Sequence, residues 1–99
     1  MRAEFNDEIH APIRLRVCGM LAAVDRMEFS AIRDALGVAD SVTSKHLSRL
    51  DEAGYVTTWK TAVAGRPRTW VALTPEGRDA FAAHIEALRQ IAAGETVVG

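Results

Sequence analysis

Residues 41–52 carry small hydroxyl groups and cations at a spacing that suits contact with duplex DNA. On a helix from Asp40 or Ser41 to about Ala53, one side would hold Thr43, Leu47 and Leu50, and the opposite face would present Ser41, Val42, Lys45, Ser48, Arg49 and Glu52, with Ser44 at its edge. Serine hydroxyls can bond to base edges, Lys45 can reach guanine acceptors, and Val42 can touch a thymine methyl group. We expect Arg49, nearer the helix C-terminus, to meet a phosphate. The alternative is a polar face that contacts only water.

A second basic group lies on a predicted turn further along the chain. The run Gly65-Arg66-Pro67-Arg68 would place two guanidinium groups on a stiff turn between two strands. Arginine at such a tip can enter a narrow minor groove, where A·T-rich DNA concentrates negative potential. Lys60 on the adjoining strand can add a contact with the DNA backbone. The alternative is an ordinary exposed turn whose arginines keep the protein soluble.

The elements that must position these residues follow from hydrophobic periodicity and from residues typical of helix ends. Pro12 suits a first helical turn, Gly37 suits a helix end, and Thr74-Pro75-Glu76 is typical of a helix start. The predicted elements are a helix from Pro12, a short strand at Glu28-Phe29, helices Ser30–Leu36 and about 40–53, strands Tyr55–Ala62 and Arg68–Leu73 around a turn at Val63–Pro67, and a last helix to about Ala93. This order predicts a single domain over residues 1–99, of the α+β class and mostly α, with the winged helix-turn-helix arrangement.

Positive charge is concentrated in the segment that holds both candidate sites. The 99-residue chain has a net charge of −1, but residues 41–70 contain five basic and two acidic residues, which gives this segment +3 and the remainder −4. An acidic remainder would keep the other surfaces away from a phosphate backbone. The charge distribution therefore favours one nucleic-acid-binding face.

Several classes of protein are disfavoured by the composition. A single cysteine, Cys18, allows no internal disulfide, and His10, His46 and His84 lie too far apart in sequence for a ligand motif, so we expect no metal or cofactor. The sequence shows no nucleophile–base pair and no phosphate-binding loop, so these features give no indication of an enzyme. The N-terminus is acidic and no apolar run approaches the length of a membrane span, so we expect a cytoplasmic protein.

The first and last helices carry more apolar surface than a small domain needs. The first helix has a second apolar stripe, which contains Leu15, Cys18 and Ala22 and lies opposite the first stripe. The last helix has a wide stripe that includes Phe81, Ile85, Leu88 and Ile91. A second subunit is one way to cover these surfaces. For Cys18 we expect packing in a core or an interface rather than a redox role.

Two runs of residues resemble a known group of regulators. The run Ser44-Lys45-His46-Leu47, continued by Ala53-Gly54-Tyr55-Val56, and the run Leu73-Thr74-Pro75-Glu76-Gly77-Arg78 resemble the helix-turn-helix of ArsR-type and MarR-type bacterial regulators. The tract Ile9–Leu15 and the run Gly65–Trp70 further resemble small stand-alone winged-helix regulators related to MarR, over residues 6–93. The resemblance implies a homodimer whose terminal helices form the interface, with two recognition helices in successive major grooves and two wings on the flanks.

Three functional hypotheses follow. The first is a transcriptional regulator, most readily a repressor, that binds a palindromic operator in double-stranded DNA as a homodimer. The second is a winged-helix module for protein–protein contact without DNA binding, and the third is an enzyme. The chain is shorter than MarR-type proteins that enclose an effector. A small-molecule effector would have to bind elsewhere, as in an aromatic-lined cleft between the wing, which carries Trp59 and Trp70, and the dimer helices.

Overall fold

The computed structural model describes residues 2–95, which form five helices and a three-stranded antiparallel sheet. The elements in chain order are α1 (Asp7–His10), α2 (Pro12–Ala22), β1 (Met27–Glu28), α3 (Phe29–Leu36), α4 (Asp40–Glu52), β2 (Val56–Val63), β3 (Arg66–Leu73) and α5 (Pro75–Ala92). In the sheet, β3 lies between β1 and β2. This mostly helical architecture with a small sheet confirms the predicted fold class.

The helix ends follow the local signals in most places. Gly37, at φ +69°, ends α3 in the left-handed conformation that glycine adopts without strain. The Thr74 hydroxyl accepts a hydrogen bond from the Gly77 amide at 2.9 Å, and Pro75 opens α5. However, α3 begins at Phe29 after Glu28, one residue before the predicted start at Ser30.

A short helix that the periodicity did not predict precedes α2. Asn6 caps α1 because its side-chain oxygen accepts a hydrogen bond from the Ile9 amide at 3.0 Å. The Ile9 side chain is fully buried in the core. Four residues are too short for an amphipathic pattern to show, so tertiary packing rather than periodicity defines this helix.

The hairpin between β2 and β3 turns more tightly than predicted. The turn consists of Ala64 and Gly65 alone, both at positive φ (+51° and +77°), as a two-residue turn of type I′ requires. Arg66 and Pro67 therefore belong to β3, where they pair with Val63 and Ala62. Pro67 is tolerated there because β1 pairs only with residues 70 and 71 of β3.

One apolar core joins the helices to the sheet. Its buried members are Ile9, Val17, Cys18, Leu21, Ile32, Leu36, Leu47, Leu50, Val56, Val71 and Leu73. Cys18 is one of the residues predicted for the dimer interface. Its side chain is 0 % exposed within this one chain, so it packs in the core and does not contribute to such a surface. Burial raises the pKa of the Cys18 thiol to about 11, which keeps it protonated near neutral pH.

The start of α5 passes so close to the backbone before β2 that residue 77 must be glycine. A β-carbon on Gly77 would lie 2.0 Å from the Tyr55 carbonyl oxygen, and that oxygen already accepts the Thr74 amide at 3.0 Å. We expect Gly77→Ala to lower the free energy of unfolding by about 3 kcal/mol, because backbone atoms must move apart. Urea unfolding followed by circular dichroism measures this loss.

A second glycine in a helix serves as the matched control for Gly77. A β-carbon on Gly19 of α2 would meet only Phe81 Cζ at 3.9 Å, which is ordinary van der Waals contact. We expect Gly19→Ala to leave stability unchanged or to raise it by up to about 1 kcal/mol, through helix propensity. Equal losses in the two variants would contradict the steric explanation.

Candidate nucleic-acid interface

The recognition helix α4 buries one row of side chains and exposes the opposite row. Thr43, Leu47 and Leu50 are buried, and the Thr43 hydroxyl donates to the Ala39 carbonyl at 3.1 Å. Ser41, Lys45 and Ser48 follow i, i+4, i+7 spacing on the far side of the helix and are exposed. We call these three residues the α4 ridge.

A hydroxyl-lined cleft separates α4 from the hairpin. Ser44 and Ser48 line one wall of this cleft, and Thr58 of β2 and Thr69 of β3 line the other, around a volume of about 190 Å³. Asp51 also lines the cleft, beside Phe29 and Leu47. The two threonines were not among the predicted site residues, although alternation along β2 and β3 places them on the strand face that meets α4.

The other flank of α4 meets α1 and α2. Arg49 Nη2 donates to the Glu8 carboxylate at 2.8 Å (Oε1) and 3.2 Å (Oε2). This hydrogen bond, opposed by some desolvation, lowers the pKa of Glu8. His46 Nδ1 lies 3.0 Å from Nη1 of Arg14, a guanidinium whose side chain is only 11 % exposed. Val42 is half-buried on this flank. Arg49 is exposed and follows Lys45 by four residues, so it lies beside the α4 ridge.

The wing cations lie on opposite faces of the hairpin. Strand residues alternate between faces, and the register pairs Arg66 with Val63, Arg68 with Thr61 and Lys60 with Thr69. Lys60 therefore shares the face of the buried Val56 and Val71, which is the face toward α4. Arg66 and Arg68 lie on the outer face, so the three predicted wing cations do not form one group.

Arg68 differs from the predicted free cation at the tip. Its Nη1 donates to Glu28 Oε1 of β1 at 2.5 Å, because the short strand β1 runs beside β3. On the same face, the two tryptophans pair across the hairpin, since Trp59 lies opposite Trp70. The Arg26 guanidinium stacks over Trp70 at 4.3 Å, and the Trp70 indole donates to the Thr61 hydroxyl at 3.0 Å. These contacts form an ordered network on the outer face of the wing, in which Glu28 holds the Arg68 guanidinium.

Two histidines that are distant in sequence meet in the structure. His10 Nδ1 lies 3.1 Å from His84 Nε2, and His84 Nδ1 accepts the Asn6 amide at 2.9 Å. His84 must therefore carry its proton on Nε2, which leaves no lone pair there for a metal ion. Among residues 2–95, no three His, Cys, Asp or Glu side chains are grouped as metal ligands.

The predicted interface residues differ in exposure. Ile85 and Ile91 of α5 are 42 % and 52 % exposed, and Ala22 is also exposed. Leu15, Phe81 and Leu88 are half-buried, and the first two pack partly against the core of the same chain. Within the described part of the chain, no helix has the length and hydrophobicity needed to cross a bilayer.

A helix-turn-helix whose second helix is exposed beside an antiparallel hairpin defines the winged-helix class of DNA-binding domains. The family described as "Winged helix DNA-binding domain" matches residues 13–92, and the chain belongs to this family. This result confirms the resemblance to small winged-helix regulators that the sequence motifs indicate. The family membership favours a DNA-binding regulator over an enzyme.

Individual proteins agree with this assignment. An uncharacterized protein of Methanocaldococcus jannaschii is 30 % identical over 79 residues, which cover 80 % of this chain and 86 % of that protein. A transcriptional regulator homologue from Pyrococcus horikoshii has a similar structure, with a TM-score of 0.83 at 28 % identity, covering 88 % of this chain and 86 % of that chain. HlyU from Vibrio cholerae shares the fold with a TM-score of 0.65 at 22 % identity, covering 87 % and 85 % of the two chains.

The buried His84 makes the stability of the fold depend on pH. Burial and the neighbouring His10 lower the pKa of His84, and the smaller effect of Asp7 opposes them. The unfolded chain then binds the proton more readily, so stability is complete above about pH 6.5 and is lost as pH falls below it. We expect chemical unfolding to show a lower free energy of unfolding at pH 5.5 than at pH 7.5.

A glutamine at position 84 provides the comparison. Its side-chain oxygen can still accept the Asn6 amide, but the side chain does not titrate. His84→Gln should therefore reduce the difference between the two pH values, with part of it remaining because burial and nearby cations also lower the pKa of His46. An undiminished difference in this variant would assign the pH dependence to other groups.

Proposed function

We propose that this protein is a transcriptional repressor that binds a palindromic operator as a homodimer. The observation that carries the proposal is the α4 ridge, in which Ser41, Lys45 and Ser48 are exposed together beside the wing. α4 has 13 residues and is about 20 Å long, and a B-DNA major groove about 12 Å wide admits such a helix. Bound there, α4 would block access of polymerase to the same DNA.

The residues proposed to contact DNA have distinct roles. Lys45 and the serines of the α4 ridge would read base edges, with Val42 at the side of the groove. Ser44, together with Thr58 and Thr69, would place hydroxyl donors near the backbone between α4 and the wing. Lys60 and Arg66 would contact the flanking backbone and minor groove. Arg68 would contribute less, since Glu28 already holds its guanidinium.

The proposed dimer uses the outer face of α5. This helix of 18 residues is about 27 Å long, and its apolar residues Ile85 and Ile91 remain exposed in one chain. Contact between two chains through these residues, with Leu88, Phe81, Leu15 and Ala22 at its margins, would remove them from water. A two-fold dimer of this kind reads half-sites about 34–36 Å apart.

A module for protein–protein contact remains the second candidate, because carboxylates neutralise part of the positive charge of the basic surface. Of the five basic residues in 41–70, Arg49 and Arg68 are paired with Glu8 and Glu28. The two aromatic residues on the outer wing face would suit a protein partner. Titration of fluorescently labelled duplex DNA at low salt separates the two functions, since only a DNA-binding domain gives an anisotropy increase that weakens as salt is added.

The two wing arginines provide a matched pair for this titration. Arg66→Ala should weaken binding and reduce the slope of log affinity against log salt by about 0.9 per lost phosphate contact. Arg68→Ala should have a smaller effect, because Glu28 already holds the Arg68 guanidinium and keeps it from a phosphate. Equal losses of affinity in the two variants would contradict the claim that Glu28 keeps Arg68 from the DNA. No loss of affinity in either variant would mean that these arginines do not contact DNA.

The dimer prediction is tested by placing a charge on α5. Ile91→Asp, on an exposed position, should leave the chain folded and shift it to a monomer, because the aspartate would be buried without a partner in the interface. Sedimentation velocity measures the mass. Val63→Asp is the control, since Val63 is 53 % exposed on the wing and should not alter the mass. A dimeric Ile91→Asp variant would mean that α5 does not form the interface through this residue.

A further inference from the structure

The N-terminal helix α1 places a carboxylate on a cation of the recognition helix. Glu8 and Arg49 are 41 residues apart in sequence, yet their side chains form an ion pair with a shortest distance of 2.8 Å. The Glu8 side chain is 39 % exposed and that of Arg49 is 48 % exposed. Both groups are therefore open to solvent, and to a DNA backbone, while they are paired with each other.

The position of Glu8 is fixed by contacts other than this ion pair. Its backbone carbonyl accepts a hydrogen bond from Arg14 Nε at 2.5 Å, and the same guanidinium reaches His46 of α4. The next residue, Ile9, is fully buried, and Asn6 caps the helix. The backbone at Glu8 is thus held against α4 whether or not the carboxylate is charged.

The surrounding charges keep the pair ionised. The hydrogen bond from Arg49 is the largest influence on Glu8 and lowers its pKa, and Arg14 acts in the same direction. Correspondingly, the pKa of Arg49 is raised by Glu8. At neutral pH, a phosphate that approaches Arg49 therefore meets a cation whose charge is already compensated by an adjacent carboxylate.

We propose that Glu8 is an internal competitor for phosphate, which holds Arg49 away from the DNA backbone and lowers the affinity of the recognition helix for DNA. This inference rests on the proposed DNA-binding function and adds to it a residue outside the helix-turn-helix. The sequence alone indicated a phosphate contact for Arg49, which the Glu8 carboxylate replaces.

The consequence is a limit on sequence-independent binding. A guanidinium on a phosphate adds affinity for any duplex without discriminating among base pairs. A carboxylate at the same place removes that contribution and also repels nearby phosphates. More of the binding free energy then comes from the α4 ridge, which faces the bases.

A double-mutant cycle on the full chain tests the proposal. Glu8→Gln keeps the length of the side chain and leaves the backbone carbonyl on Arg14, but it removes the competing charge. We expect about tenfold tighter binding to duplex DNA at low salt, and a salt slope steeper by about 0.9 per protomer, because Arg49 gains a phosphate. Glu8→Ala should give the same gain.

Substitution of Arg49 shows whether the gain in DNA affinity depends on the Arg49 side chain. Arg49→Gln should cost less affinity in the wild-type chain than in the Glu8→Gln chain, where it should cancel most of the gain. Glu4→Gln is the matched control for the general change of charge, since Glu4 lies in the same N-terminal segment and pairs with Arg2 rather than with α4. Circular dichroism and thermal melting establish that each variant is folded.

The outcomes distinguish this inference from the proposed function. If the wild-type chain binds DNA but Glu8→Gln equals Glu4→Gln in affinity, or if Arg49→Gln costs as much affinity in the wild-type chain as in the Glu8→Gln chain, the competitor role is wrong and the DNA-binding function stands. If only the Glu8 variants bind duplex DNA, the Glu8 carboxylate prevents binding by the wild-type chain, and the competitor role is supported. If no variant binds duplex DNA at low salt, both proposals are wrong.

Discussion

The burial of Thr43, Leu47 and Leu50 is the constraint on which the candidate interface depends. These three residues attach α4 to the core shared by α2, α3 and the sheet, so the helix has only one rotational setting about its axis. The α4 ridge is exposed because the buried row lies opposite it. The candidate interface is therefore a consequence of core packing, and changes to that core would reorient the α4 ridge without altering any residue of the candidate interface.

The hairpin and the start of α5 hold the second part of the interface in place. Thr74 donates its hydroxyl to the Gly54 carbonyl and its amide to the Tyr55 carbonyl, so the end of β3 is tied to the segment between α4 and β2. Gly77 allows α5 to approach this segment closely. The cleft that contains Ser44, Ser48, Thr58 and Thr69 lies between elements joined in this way, which gives its two walls a defined separation.

Carboxylates modulate the basic surface at two places. Glu8 holds Arg49 at one flank of α4, and Glu28 holds Arg68 on the outer face of the wing. Both pairs are solvent-exposed, so they contribute little to the stability of the fold. Under the proposed function, their main effect would be on the charge pattern that a DNA duplex meets. The cations without such a partner among the described ion pairs, Lys45, Lys60 and Arg66, would then contribute more to binding.

The sequence by itself determined the features that depend on neighbours within a few residues. The periodicity of α4 gave its buried and exposed rows, and capping residues such as Thr74 and Gly37 gave helix ends, because these signals act within about one helical turn. The exact turn at Ala64-Gly65 and the short helix α1 needed the tertiary structure, since the first depends on strand register and the second on the burial of Ile9.

Only the tertiary structure decided which charged groups are paired. Glu8 meets Arg49 across 41 residues, Glu28 meets Arg68 across 40, and His10 meets His84 across 74. No local spacing specifies such contacts, because they follow from how whole elements pack and from how strands align. The sequence thus indicated the basic residues of the candidate interface, but the fold determined which of them are held by carboxylates.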